Sequence, residues 1–326
     1  MKKKNKHPNH LDEKNSTSSG IKSSRLEKIV EELCKRNSDT THFLQKERQC
    51  HPLPSRDVIV NTIEELRSVL FPWYFGNSDL TLNSIRFYIG SALDRVLRTM
   101  QDQIKRGLCF VCEGDLDLDR CIEYDERALS ITKSFLSKLP SVRRLLMTDV
   151  KAAYEGDPAA TSTYETIFCY PGVLAITNYR LAHELHVLGV PLIPRIITEH
   201  AHSITGIDIH PGAVIGESFF IDHGTGVVIG ETCVIGKNIR IYQGVTLGAK
   251  SFPLDDEGKP IKGIERHPIV EDDVIIYSGA TILGRIVIGK GSVIEGNVWL
   301  THSVPPKSRI TQAGACEEVF KDGEGI

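Results

Sequence analysis

The sequence predicts an α+β chain, with an α-helical N-terminal domain followed by a parallel β-helix of hexapeptide repeats. Two observations carry this. From Ile209 to Leu300 an aliphatic residue returns at every sixth position, as Ile209, Ile215, Ile221 and Val227, then after a two-residue slip as Ile229, Ile235, Ile241 and Leu247. Beyond a polar interruption the beat resumes as Val270, Ile276, Ile282, Ile288, Ile294 and Leu300. Between Pro54 and about Thr205, in contrast, the apolar spacing is helical. A period of six fits neither a helix nor an alternating strand, but it fits a coil of three short strands, each turning one aliphatic inward.

In chain order, residues 1–24 are rich in Lys, Asn, Ser and His and too poor in apolar groups to offset chain entropy, so a disordered tail is expected. Leu26, Ile29, Val30 and Leu33 then share one face of a short amphipathic helix. Leu66, Val69 and Leu70 mark another helix, and Ile85, Ile89, Leu93, Val96, Leu97 and Met100 a longer one reaching toward Ile104. Further helices are expected over 122–136, 142–154, 173–188 and 192–202, with Gly189 and Pro191 punctuating the last pair. The helical domain is thereby set at 25–205, the β-helix at 206–306 and a flexible tail at 307–326, with Ser303-Val304-Pro305-Pro306 closing the stack.

Within such a stack each coil buries its aliphatics against the coils on either side, and small or β-branched residues such as Ala213, Thr225, Cys233, Val245 and Ala280 fit the crowded corners. Polar residues point outward. The pattern breaks at Gly226-Val227-Val228 and over the loop from Ala249 to His267, and a site is expected at these breaks.

A chain of 326 residues is long enough for two domains, and its net charge of −3 gives no sign of a nucleic-acid surface. No apolar run has membrane-spanning length, and eight cysteines scattered through a chain of this size read as reduced thiols, so a cytoplasmic protein is expected. Cys109 and Cys112, with Cys121 following, lack a fourth ligand at a typical spacing, so packed thiols rather than a metal site are expected there.

Three strings are dense in groups that move protons or bind an amino acid: Asp208-Ile209-His210-Pro211, Asp222-His223-Gly224-Thr225-Gly226 and Glu265-Arg266-His267-Pro268. The hexapeptide count puts Asp208 and His223 on neighbouring coils, about 4.8 Å apart along the stack. At that distance a carboxylate can hold one ring nitrogen and leave the other as a base. His210 reads as a structural corner residue, and His183 and His186 as domain-interface residues.

The strings "DIHPGAVIG", "DHGTGVVIGET", "QGVTLG" and "RHP", with Glu155-Gly156-Asp157-Pro158-Ala159 and "YPGVLAITNYRLAH" upstream, resemble serine O-acetyltransferase, a hexapeptide acyltransferase of cysteine biosynthesis. The resemblance implies a left-handed coil and transfer of acetyl from acetyl-CoA to the hydroxyl of L-serine. It implies that His223 is the general base and Asp208 its partner, that Asp157 and Asp222 receive the serine ammonium, and that Arg266 clamps the carboxylate with His267 nearby. These roles suit a zwitterion, which needs acids at one end and a guanidinium fork at the other. Gly248, Ala249, Ser278, Gly279 and Gly296 match positions that line acetyl-CoA between subunits. A homotrimer or a dimer of trimers is implied, with no metal.

The terminal Ile326, after Asp322-Gly323-Glu324-Gly325, is similar to the tail that the family inserts into O-acetylserine sulfhydrylase. The loop from Ala249 to Glu265 is longer and more charged than the family's glycine-rich loop. Two rival readings are a hexapeptide acyltransferase with another hydroxyl acceptor, such as homoserine or a sugar, and a non-catalytic protein that docks on a sulfhydrylase through Ile326.

Overall fold

A computed structural model of the chain describes residues 17–34, 52–76, 79–111 and 118–312, with the side chains of 17–24 and 118–121 outside the description. One unit comprises residues up to His51 and holds helix α1 (Thr17–Cys34). This helix starts within the stretch expected to lack structure, and Leu26, Ile29, Val30 and Leu33 lie exposed on it.

The second unit runs from Pro52 onward. It opens with α2 (Arg56–Leu70), α3 (Ile85–Val111), α4 (Leu118–Gly156), α5 (Thr163–Cys169), α6 (Pro171–Val187) and α7 (Ile193–Thr205). The Ser55 hydroxyl accepts from the Val58 amide and starts α2. The two helices expected over 122–136 and 142–154 are one, running through Pro140. Phe135, Leu139, Val142, Leu146 and Val150 keep a single buried face across the proline, and that packing outweighs the lost backbone bond. Helix α5 was not expected; seven residues are too few to display a period. Gly206 ends α7 in the left-handed conformation and hands the chain to the first strand.

Fourteen two- or three-residue strands among the described residues form three parallel sheets. Sheet A is β1 (Asp208–Ile209), β4 (Val228–Ile229), β7 (Thr246–Gly248), β10 (Thr281–Leu283) and β13 (Trp299–Leu300). Sheet B is β11 (Val287–Ile288), β8 (Ile269–Val270), β5 (Val234–Ile235) and β2 (Val214–Ile215). Sheet C is β14 (Arg309–Ile310), β12 (Val293–Ile294), β9 (Ile275–Ile276), β6 (Ile239–Ile241) and β3 (Phe219–Ile221), so strands β1 to β13 visit the three faces of a prism in turn. Within sheet A the register pairs Ile209 with Ile229, Ile229 with Leu247, Leu247 with Ile282 and Ile282 with Leu300. All fourteen aliphatics of the predicted beat are buried. They share one core with the helices, and the Tyr179 hydroxyl of α6 donates to the Ala213 carbonyl of the first coil.

The register also locates the slip. The first coil takes twenty residues from Ile209 to Ile229, whereas the second takes eighteen from Ile229 to Leu247. At the corner from sheet C to sheet A, Asp222 donates to Ile241 in the next coil, while the Thr225 carbonyl accepts from Gly244. Only Gln243 separates Tyr242 from Gly244 there, so the two extra residues are His223 and Gly224, ahead of the position expected from sequence. Thr225 is consequently exposed, and Val227 is the buried corner residue in its place.

Candidate active site

The C-to-A corner is where the inserted pair stands out from the prism. His223 sits at φ 58°, a left-handed conformation uncommon for a residue with a side chain, and its imidazole is 73% exposed. Gly224 follows at φ 87°, and a Cβ there would lie 2.4 Å from Ile207, so only glycine lets the corner fold back over the core. Asp222 is largely buried at its base, with Oδ1 3.9 Å from His223 Nε2.

Two helices bring the next groups to this corner. Helix α4 ends at Gly156, and the Asp157 carboxylate accepts from the Ala159 amide (2.8 Å) and from the Tyr170 hydroxyl (2.5 Å). Tyr170 is the N-cap position of α6. Gly172, in the first turn, lies so close to β3 (Phe219–Ile221) that a Cβ would meet the Ile221 carbonyl oxygen at 2.4 Å, and this approach sets the Tyr170 ring beside the corner. The Tyr170 hydrogen bond, then the Ala159 amide, hold the Asp157 carboxyl below its ordinary range, with His223 adding a smaller pull.

The second concentration of charge is at the corner from sheet A to sheet B. The loop 249–267 leaves β7 (Thr246–Gly248) and returns to β8 (Ile269–Val270). Arg266 donates from Nη2 to Glu231 (2.7 Å) and from Nη1 to the Ile264 carbonyl (3.1 Å). The Thr232 hydroxyl accepts the amides of Arg266 (3.0 Å) and His267 (3.2 Å), and Arg285 Nη1 caps the carbonyls of Thr232 and His267. His267 is buried, and its Nδ1 accepts from the Thr232 amide, which makes the ring neutral with its proton on Nε2. Burial, reinforced by Arg266, pushes its pKa down to about 4.

On the same edge His210 Nδ1 accepts from the Gly212 amide, and burial followed by Arg195 likewise lowers its pKa to about 4. His183 Nδ1 lies 2.9 Å from the Pro211 carbonyl, and His186 meets His210 edge-on. These contacts join α6 to the first coil, the interface position expected for His183 and His186.

The expected residues therefore divide between two edges of one chain. Asp157, Asp222 and His223 share the C-to-A edge, along which Ser278, Gly279 and Gly296 also lie, whereas Arg266, His267, Gly248 and Ala249 share the A-to-B edge. Asp208 departs from expectation. Its register partner is Val228, five residues past His223, and among the described residues no hydrogen bond or ion pair links it to His223. The two inserted residues carry His223 outward, and the Asp208 carboxylate instead faces Arg195 Nη1 at 3.8 Å.

Glu199, His202 and Asp208 gather ligand atoms within 4.8 Å of one another, but Arg195 Nη2 stands 2.5 Å from Glu199, so a guanidinium already supplies the positive charge there. A recess of about 500 Å³ among α2, α3 and α4 is lined by aliphatics with Arg143 and Arg144 and contains no carboxylate, imidazole or nucleophile. Ile326 and Cys112 lie outside the described residues. Sequence reasoning missed Tyr170, Glu231, Thr232 and Arg285, and it missed the stacked pair Tyr242 and Tyr277 on the C-to-A edge, with ring centroids 5.1 Å apart. The "GET" string at 230–232 was visible, but its pairing with Arg266 spans a loop whose length hides the register.

No family model matches the chain. It is 52% identical over 303 residues to a plasmid serine acetyltransferase of Synechococcus elongatus, covering 92% of this chain and 95% of that protein. Among solved structures it resembles serine acetyltransferase isoform 3 of Entamoeba histolytica in complex with cysteine, at 32% identity and TM-score 0.67 over 93% of this chain and 96% of that one. Serine acetyltransferase 1 of the same organism, in complex with L-cysteine, agrees at 34% identity and TM-score 0.67 over 91% of this chain and its own full length. With half of its residues shared along nearly the whole of a curated relative, and with helices and prism matched in the solved structures, the chain belongs to the serine acetyltransferase family.

Proposed function

We propose that this chain transfers the acetyl group of acetyl-CoA to the hydroxyl of L-serine, giving O-acetylserine and CoA in cysteine biosynthesis, with His223 as the base. The observation that carries the assignment of His223 is the two-residue insertion that projects its imidazole from the first coil beside Asp222 and Asp157. The serine Oγ attacks the thioester carbonyl carbon while its proton passes to the imidazole. The tetrahedral intermediate expels the CoA sulfur, which takes that proton from the imidazolium, and the base is regenerated.

Asp157 and Asp222 bind the ammonium. Asp208 orients the imidazole once substrate draws the ring inward, as catalytic hydrogen bonds commonly tighten only in the complex. Arg266, with His267 packed behind it, binds the carboxylate, and Glu231 holds the guanidinium ready at 2.7 Å.

The carboxylate and ammonium groups of one serine cannot be served by two different edges of one prism. The C-to-A edge of one chain therefore meets the A-to-B edge of the next, and a homotrimer is the smallest closed ring that repeats such a contact around a prism with three edges. Ser278, Gly279 and Gly296 on one edge, with Gly248 and Ala249 on the other, line the acetyl-CoA groove between copies. Pairing of trimers, docking of Ile326 into O-acetylserine sulfhydrylase and a cytoplasmic location complete the reading. Among the described residues no helix is long and apolar enough to cross a membrane.

The test is CoA thiol release from acetyl-CoA with L-serine and with a panel of other hydroxyl acceptors, for the parent, His223→Ala and Arg266→Ala. Release that requires L-serine, vanishes in His223→Ala and shows a raised KM for serine but not for acetyl-CoA in Arg266→Ala is the expected result. Release with another acceptor alone would overturn the substrate assignment.

A further inference from the structure

The Tyr170 hydroxyl has one partner among the described residues, Oδ2 of Asp157, at 2.5 Å. Several features of the chain converge to put it there. Tyr170 ends α5 by donating its amide to the Thr166 carbonyl, and it starts α6, where Pro171 fixes the first helical turn. Gly172 then presses this turn onto the Ile221 carbonyl, one residue before Asp222. The ring is thus held from both sides by backbone, at a point where Asp157, Glu165 and Asp222 all act on its hydroxyl electrostatically. Burial and these carboxylates push the phenol well above its ordinary pKa, so it is a proton donor to Asp157 throughout the working range.

Asp157 itself follows the last turn of α4, and the Asp157-Pro158 turn leaves only the Ala159 amide to fix its carboxylate. That bond pins Oδ1 and leaves the plane free to swing about it. The bond from Tyr170 to Oδ2 removes the swing and leaves the outer lone pairs of both oxygens for a donor arriving from the His223 side.

We propose that Tyr170 is a positioning residue for the acceptor amino acid: by holding Asp157 it fixes the seat of the substrate ammonium relative to the base His223. This inference rests on the serine acetyltransferase reading given above. It separates Tyr170 from groups that act on the thioester, because its influence reaches the reaction only through Asp157. Removing the hydroxyl therefore weakens capture of the amino acid while leaving proton transfer and acyl-donor binding in place.

The test is a steady-state comparison of the parent, Tyr170→Phe, Asp157→Asn and the double variant, varying L-serine and acetyl-CoA separately. In Tyr170→Phe the KM for L-serine rises by roughly 10- to 150-fold, as expected for losing a hydrogen bond to a charged group. Its kcat and its KM for acetyl-CoA stay within about 2-fold of the parent. In the Asp157→Asn background the tyrosine change adds less than about 2-fold, since both act through one carboxylate. Unchanged kinetics in Tyr170→Phe, equal losses toward both substrates, or full additivity with Asp157→Asn would each overturn the inference while leaving the activity standing. A parent that releases no CoA with L-serine overturns the reaction itself, and the inference with it.

Discussion

Arg180 and Asp149 offer the sharpest perturbation of how the helices hold the coils. The guanidinium is 4% exposed and the carboxylate 1%, and they pair through Nε–Oδ2 at 2.7 Å and Nη2–Oδ1 at 2.9 Å. Arg180 also donates to the carbonyls of Ile215 (3.3 Å) and Gly216 (2.7 Å), at the turn into the sheet C face of the first coil. Asp149 accepts from the Phe219 amide, and its neighbour Thr148 from the Ser218 amide, each at 2.9 Å. Arg180→Met keeps the packing volume but leaves a buried carboxylate without its counter-charge, held by the Phe219 amide, and two carbonyls without the guanidinium. Breaking one side of a buried pair costs about 3–5 kcal/mol, which lowers Tm by roughly 4–7 °C for a chain of this size.

A second change isolates the charge effect. In Arg180→Met/Asp149→Leu no lone carboxylate remains, so the double variant is more stable than Arg180→Met by at least about 1 kcal/mol. The sign with pH follows from the same argument: burial raises the carboxyl pKa of the folded single variant above the unfolded value. The deficit of Arg180→Met therefore shrinks on acidification and grows as pH rises through the folded pKa. Urea unfolding and Tm at pH 5 and pH 7.5 measure all of this. A cost below about 1 kcal/mol for Arg180→Met, or a double variant weaker than either single one, would refute the reasoning.

At Gly230 an added Cβ would lie 2.1 Å from the buried His267 ring, so Gly230→Ala forces the imidazole off its Thr232 bond. Overpacking of this kind costs about 1–3 kcal/mol, and it disturbs Arg266, so both Tm and the KM for serine should change; wild-type values for both would remove the packing argument. His210 and His267 have folded pKa values near 4 against about 6.5 unfolded. The unfolded chain binds more protons between those values, so their contribution is intact above about pH 6.5 and is lost as pH falls toward about 4. Tm followed from pH 8 to pH 4.5 should show that decline, with a shallower slope in His210→Gln; an unchanged slope would show that His210 titrates freely.

The coil core was legible because the hexapeptide beat is a direct image of the burial pattern, and no tertiary knowledge is needed to see that Ile229 and Leu247 must stack. Helix ends were less so. Pro140 read as a break because local chain preference argues for one, but the continuous apolar face of Phe135 to Val150 prevails in the packed state. The slip was visible and its position was not, since Gly226-Val227-Val228 is where the aliphatic beat shifts, whereas the extra residues belong to the ladder at His223 and Gly224. The Tyr170–Asp157 and Arg266–Glu231 pairs join residues 13 and 35 positions apart across helix ends and a loop, and no periodicity encodes such distances.

Why the charged and strained residues of the coils collect at the breaks follows from the coil itself. A regular corner is spatially crowded: Ala213, Cys233, Val245 and Ala280 are wholly buried, and each outward neighbour is repeated by an equivalent neighbour one coil away. A regular coil therefore offers a flat edge on which no residue stands apart. Two extra residues lift His223 clear of that edge, and the long excursion from Gly248 to Ile269 delivers Arg266 beside Glu231 on another edge. Neither break disturbs the register beyond it, since Leu247 still pairs with Ile282 and Ile282 with Leu300. The solenoid thus accommodates both insertions at the surface while its inner ladder stays continuous. Because the two insertions leave from different edges, the reading of one serine site built from both stands or falls with the proposed assembly of copies.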